Sequence, residues 1–185
     1  MRSSTRRIGL ALLGGLAVGL FAAPAAASAA TDPGPQAGAT TAGVVKPLAG
    51  PYVNVINKKS NRCLDRKSED GGIDGARVQQ YHCTGSDDQD WTFVLVGADN
   101  YRVVNRATTK CLTAVLTKAV VWTCGSDFSQ QWKPVLLTNV PEPYFKFVNR
   151  ASGKCLDVIG GSTQDRAFLQ EHPCNGTDAQ AFRMQ

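Results

Sequence analysis

The sequence predicts an all-β fold made of three copies of one unit, closed into a threefold-pseudosymmetric barrel. Three observations carry this prediction: a segment recurs three times around paired cysteines, apolar and polar residues alternate ahead of each first cysteine, and no long amphipathic helical pattern occurs. With units of about 45 residues, a closed barrel is more economical than a solenoid, whose exposed edge strands would need protection.

The elements follow in chain order. Arg2, Arg6 and Arg7 precede an apolar run from Ile8 to Ala23, and Ala27-Ser28-Ala29 fits a small-residue cleavage pattern. Residues 1–29 therefore read as a secretory signal peptide, and the mature protein is expected to be secreted and extracellular. Residues 30–50 are rich in Pro, Gly, Ala and Thr and lack aromatics, so they read as a flexible linker unable to bury enough apolar surface to order itself. Residues 51–185 are long enough for one compact core, with repeats at about 51–97, 98–138 and 139–185. The formal charge of +5 is mostly an N-terminal property: without the three leading arginines, 17 basic residues face 15 acidic ones. No basic cluster marks a nucleic-acid face in the folded part.

Asn105-Arg106-Ala107-Thr108-Thr109-Lys110-Cys111-Leu112 aligns with Asn149-Arg150-Ala151-Ser152-Gly153-Lys154-Cys155-Leu156, identical at six of eight positions. Asn57 to Leu64 keeps the Asn, the Cys and Leu, and a basic residue before the Cys. Each unit also closes alike: Cys83 leads to Gln89-Asp90-Trp91, Cys124 to Gln130-Gln131-Trp132, and Cys174 to Gln180-Ala181-Phe182. The triads Val53/Val55/Asn57, Tyr101/Val103/Asn105 and Phe145/Phe147/Asn149 alternate with partly polar residues, as half-buried strands require. Ser60-Asn61, Thr108-Thr109 and Ser152-Gly153 supply turns just before each Cys.

The six cysteines fall two to a unit. In an exported chain the default is a disulfide framework, and within-unit pairing (Cys63/Cys83, Cys111/Cys124, Cys155/Cys174) treats all six alike. A zinc site is disfavoured, because no C-x-x-C occurs and His82 and His172 are the only histidines.

Cys-Leu-Asp, a second Cys about twenty residues on, and then Gln-x-aromatic resembles the ricin-type lectin module, over essentially all of residues 51–185. The resemblance implies a β-trefoil, with six strands in a barrel and a triangular cap of hairpins, and up to one shallow sugar pocket per repeat. It places the first pocket at Asp65, Gln79, Tyr81, Asp88 and Gln89, with Asp88 standing where the family carries Asn. The third pocket falls at Asp157, Gln170, His172 and Gln180, with Ala179 at the Asn position. In the second repeat Thr113 replaces the Asp, Val120 the Gln and Ser129 the Asn, so that site is expected to be dead although Trp122 survives. The resemblance assigns Trp91, Trp132 and Phe182 to the core.

The residue types suit a sugar. A carboxylate accepts from neighbouring hydroxyls through two oxygens, and an aromatic ring offers an apolar platform to the C–H face. Imidazole is the poorer platform, so the third site is expected to be weaker or to prefer another sugar. The expectation is a secreted, non-catalytic lectin-like monomer binding a galactose- or xylan-type glycan or polysaccharide through repeats 1 and 3. No nucleic-acid partner, membrane insertion, metal or cofactor is expected. A glycosidase would need two carboxylates flanking one cleft, whereas Asp65 and Asp157 belong to separate repeats. The alternative is a β-trefoil protease inhibitor or protein-partner binder with degenerate sugar sites.

Overall fold

The computed structural model describes residues 51–138 and 140–185; the expected signal peptide and linker lie outside the described residues. Among the described residues, twelve strands form three lobes of four. Lobe 1 holds β1 (Val53–Asn57), β2 (Cys63–Arg66), β3 (Val78–Tyr81) and β4 (Asp90–Gly97). Lobe 2 holds β5 (Asn100–Asn105), β6 (Cys111–Val115), β7 (Lys118–Trp122) and β8 (Trp132–Leu136). Lobe 3 holds β9 (Phe145–Asn149), β10 (Cys155–Val158), β11 (Leu169–His172) and β12 (Phe182–Met184). Among the described residues the only helical pieces are five short 3₁₀ turns.

The first and fourth strands of the lobes close on themselves. β1 pairs with β4, β4 with β5, β5 with β8, β8 with β9, β9 with β12, and β12 with β1, all antiparallel. This six-stranded barrel leaves no free edge. The hairpins β2–β3, β6–β7 and β10–β11 form the cap and join by single bridges, Arg77 to Val120, Lys118 to Gln170 and Phe168 to Gln79. The fold is the threefold barrel that the repeat anticipated and the β-trefoil that the resemblance implied.

Barrel and cap share one core, and its members recur by threes. Val55, Val103 and Phe147 come from the first strands, and Leu64, Leu112 and Leu156 follow the first cysteines. Trp91, Trp132 and Phe182 close the set, each no more than 1% exposed. Trp91 donates its indole N–H to the Leu64 carbonyl and Trp132 to that of Leu112, both at 2.9 Å. Phe182 has no N–H to give, so lobe 3 keeps the ring and drops the bond.

The three disulfides pair within lobes: Cys63–Cys83, Cys111–Cys124 and Cys155–Cys174. Asn61, Thr109 and Gly153, two residues before each first Cys, all take positive φ, which is the conformation the turns there require.

The conserved Asn of the repeat is an inter-lobe joint. Asn57 donates to the Ala179 carbonyl at 3.1 Å, Asn105 to that of Asp88 at 3.0 Å, and Asn149 to that of Ser129 at 2.9 Å. Each bond therefore reaches the 3₁₀ turn of the preceding lobe around the ring. The next residue repeats the link: Lys58 pairs with Asp178 and Arg106 with Asp87, while Arg150 lies over the Phe128 ring at 3.9 Å.

Candidate functional site

In lobe 1 the β2–β3 register sets Asp65 opposite Gln79 and Cys63 opposite Tyr81. Directly opposed residues share a face of the hairpin, so Asp65, Gln79 and Tyr81 lie together. Asp65 Oδ1 accepts from Gln79 Nε2 at 2.8 Å, and Oδ2 from Gln89 Nε2 at 3.0 Å. The carboxylate is recessed, only 7% exposed. Burial raises its pKa from the ordinary aspartate value, against the pull of these two amides. Because Gln79 Nε2 is committed to Asp65, Gln79 Oε1 is buried with no donor, an acceptor that a hydroxyl would satisfy. Tyr81 is half-buried, with the His82 ring tilted against it at 4.2 Å between centroids.

Gln89 has a second duty. Its Oε1 accepts from the Thr84 N–H at 2.7 Å, and its Nε2 also donates to the His82 carbonyl at 3.0 Å, which braces the loop after Cys83. Gln130 does the same with Gly125 and Thr123, and Gln180 with Asn175 and Pro173. The Gln of Gln-x-aromatic is thus a structural brace in all three lobes, and in lobe 1 it additionally steadies the pocket carboxylate.

Asp88 is occupied by a residue that sequence reasoning missed. Arg66, buried directly after Cys-Leu-Asp, bonds Asp88 Oδ1 through Nε at 2.8 Å and also through Nη2. Its Nη1 donates to the Gly71 carbonyl at 2.6 Å, which ties the 68–71 turn to the pocket. The basic residue after Cys-Leu-Asp and the acid at the family's Asn position were the available signal.

Lobe 3 repeats the arrangement with fewer ties. Asp157 lies opposite Gln170, and its Oδ1 accepts from Gln170 Nε2 at 2.9 Å. Gln180 is buried among its backbone partners and makes no bond to Asp157. Ala179 at the Asn position is also buried and offers no polar side chain. His172 is exposed, opposite Cys155. Lobe 2 sets Thr113 opposite Val120, and the Thr113 hydroxyl donates to the Cys111 carbonyl at 2.9 Å rather than outward. Trp122 there remains 41% exposed with no carboxylate on its face.

The model of the ricin-type beta-trefoil lectin domain matches residues 51–182. The chain belongs to this lectin family. Among solved structures, the lectin domain is similar to the designed threefold-symmetric protein ThreeFoil, at 32% identity and a TM-score of 0.68, with 72% of this chain and 96% of that one covered. It is also similar to an exo-beta-1,3-galactanase from Clostridium thermocellum, at 26% identity and a TM-score of 0.66, covering 75% of this chain but 30% of the galactanase. A Macrolepiota procera ricin B-like lectin solved with lactose shares the fold, with 17% identity, a TM-score of 0.62, and 74% and 96% of the two chains covered. A comparison with curated proteins finds no match. As a ricin-type lectin domain, the chain carries a scaffold suited to carbohydrate binding in general.

Proposed function

We propose that the protein is a secreted, monomeric, non-catalytic lectin that binds galactose- or xylan-type glycans through the pockets of lobes 1 and 3. One observation carries the reading: the Asp65 carboxylate is held by two amides on the hairpin face that also presents Tyr81. A fixed acceptor beside a flat ring matches the two faces of a sugar, its adjacent hydroxyls and its C–H patch. The likeness to the galactanase favours a galactose-type ligand. The form of residues 1–29 supports export.

A single such pocket binds a monosaccharide in the mM range, about −4 kcal/mol. Two pockets on one rigid body raise avidity for a polysaccharide by roughly 10²-fold. A glycan array with Asp65→Ala, Asp157→Ala and the double variant tests the reading. Partial loss in each single variant and complete loss in the double supports it, and unaltered binding in the double variant refutes it. Trp122, exposed beside an empty acid position, favours a second reading, a protein-binding trefoil. That reading predicts no glycan bound by the wild type.

A further inference from the structure

Each lobe's hairpin is joined by a backbone bond to a loop of its neighbour next to the platform residue, and the residue at the joint takes positive φ. Gly75 of lobe 1 bonds through its N–H to the Val121 carbonyl of lobe 2, beside Trp122. Arg166 of lobe 3 bonds likewise to the Gln80 carbonyl of lobe 1, beside Tyr81. The lobe 2 hairpin tip meets lobe 3 through a bond from the Glu171 N–H to the Thr117 carbonyl, beside His172, and Leu116 takes the equivalent place. All three residues have positive φ: Gly75 +92°, Arg166 +66° and Leu116 +59°. Glycine adopts this backbone freely, whereas Arg and Leu do so only where their surroundings fix it.

For Arg166 those surroundings are on lobe 1. Gln80 donates its side-chain amide to the Ser162 and Gln164 carbonyls, both at 2.9 Å, and Asp165 accepts from the His82 N–H at 2.8 Å. The backbone is thus held without help from the Arg166 side chain, which is 66% exposed. The guanidinium carbon stands 5.9 Å from the centre of the Tyr81 ring, and Nη2 lies 3.7 Å from Glu69 in the turn that Arg66 ties to Asp88. Arg166 therefore bridges the Tyr81 ring and Glu69 of the 68–71 turn. Of the neighbouring charges, Asp88 is paired with Arg66 and Asp70 with Lys67, and Glu69 is the acid facing Arg166.

We propose that Arg166 completes the lobe 1 pocket from the neighbouring lobe and selects a sugar bearing an anionic group, a uronate carboxylate or a sulfate ester, beside the ring stacked on Tyr81. The proposal rests on the reading of Asp65 and Tyr81 as a saccharide site. A guanidinium with free N–H donors recognises a planar carboxylate bidentately and a sulfate through several oxygens. Glu69, also exposed, gives up the longer contact as the ligand binds. The other lobes then differ in kind, with a glycine, Gly75, at the joint beside Trp122 and an exposed Leu116 at the remaining joint.

The test uses the full chain carrying Asp157→Ala, so that lobe 1 is read alone. Calorimetry measures galacturonate trimer, the neutral galactose trimer and a 6-O-sulfated galactoside against this background and against added Arg166→Gly or Asp65→Ala. Glycine suits the backbone at 166, so the variant is expected to melt no lower than its parent. The expected result is that Arg166→Gly weakens the anionic ligand about tenfold and leaves the neutral trimer within about twofold. Which anionic ligand responds identifies the group. Equal losses on charged and neutral ligands, or none on either, overturn the proposal while Asp65→Ala still abolishes binding. If no saccharide binds, or Asp65→Ala changes nothing, the saccharide reading itself falls and takes this one with it.

Discussion

Gln89 donates to Asp65 Oδ2 at 3.0 Å, whereas the corresponding Gln180 makes no bond to Asp157. The two carboxylates that the repeat makes equivalent are therefore held differently. Asp65 is fixed by two amides within one lobe, and Asp157 by one.

Binding at lobe 1 is expected to require ionised Asp65. Burial raises that pKa, so affinity falls on acidification at a higher pH than an exposed aspartate would give. For stability the sign is reversed. A raised folded-state pKa means the ionised form is disfavoured in the fold, so Asp65 detracts from stability above that pKa, and the penalty disappears as pH falls through it. Calorimetric titrations at stepped pH in the Asp157→Ala background check the binding half, and an affinity flat down to pH 4 counts against it.

Arg66→Ala removes the partner of Asp88 and the anchor of the 68–71 turn. The pair is largely buried, with side chains 9% and 21% exposed, so breaking it is expected to cost about 3 kcal/mol. Thermal denaturation should show the loss, and glycan binding should weaken at lobe 1 with lobe 3 unaffected.

Glu171→Gln is expected to stabilise the protein at neutral pH. Glu171 is buried with the Ser152 hydroxyl at 2.7 Å, and burial raises its pKa. Ionised Glu171 thus detracts from stability above its folded pKa, and the wild type recovers as pH falls through it. Lobe 1 carries Gln80 at the equivalent place, bonded to the equivalent Ser60. The melting temperatures of variant and wild type should converge in acid, and a gap independent of pH would sink the explanation.

Reduction should weaken all three lobes. The disulfides close loops of 20, 13 and 19 residues, each worth about 3 kcal/mol by loop entropy. Removing one by paired Cys→Ala substitution is expected to lower the melting temperature on the order of 10 °C. An unchanged melting curve under strong reductant would contradict this.

Much of the fold was legible because it is written locally and three times. Alternation ahead of Cys63, Cys111 and Cys155 marked the strands, and the family resemblance carried by the recurring Gln-x-aromatic assigned Trp91, Trp132 and Phe182 to the core. The grouping of Asp65, Gln79 and Tyr81 was implied by the family resemblance, and the β2–β3 register gives its physical reason, since opposed residues share one face. Gln180 was less legible. The motif puts it level with Gln89, yet whether its amide reaches the carboxylate depends on side-chain placement that the motif does not encode.

By itself the sequence determined the repeat, its strands, its within-unit cysteine pairing and the acid-plus-ring pattern, because each depends on residues close along one unit. Only the tertiary structure decided which lobe leans on which. It set Asn57 against Ala179, Asp165 against His82, and Arg166 over Tyr81. Those contacts join residues more than eighty positions apart, brought together by closure of the barrel and cap, and no local periodicity records where a closed ring brings its ends.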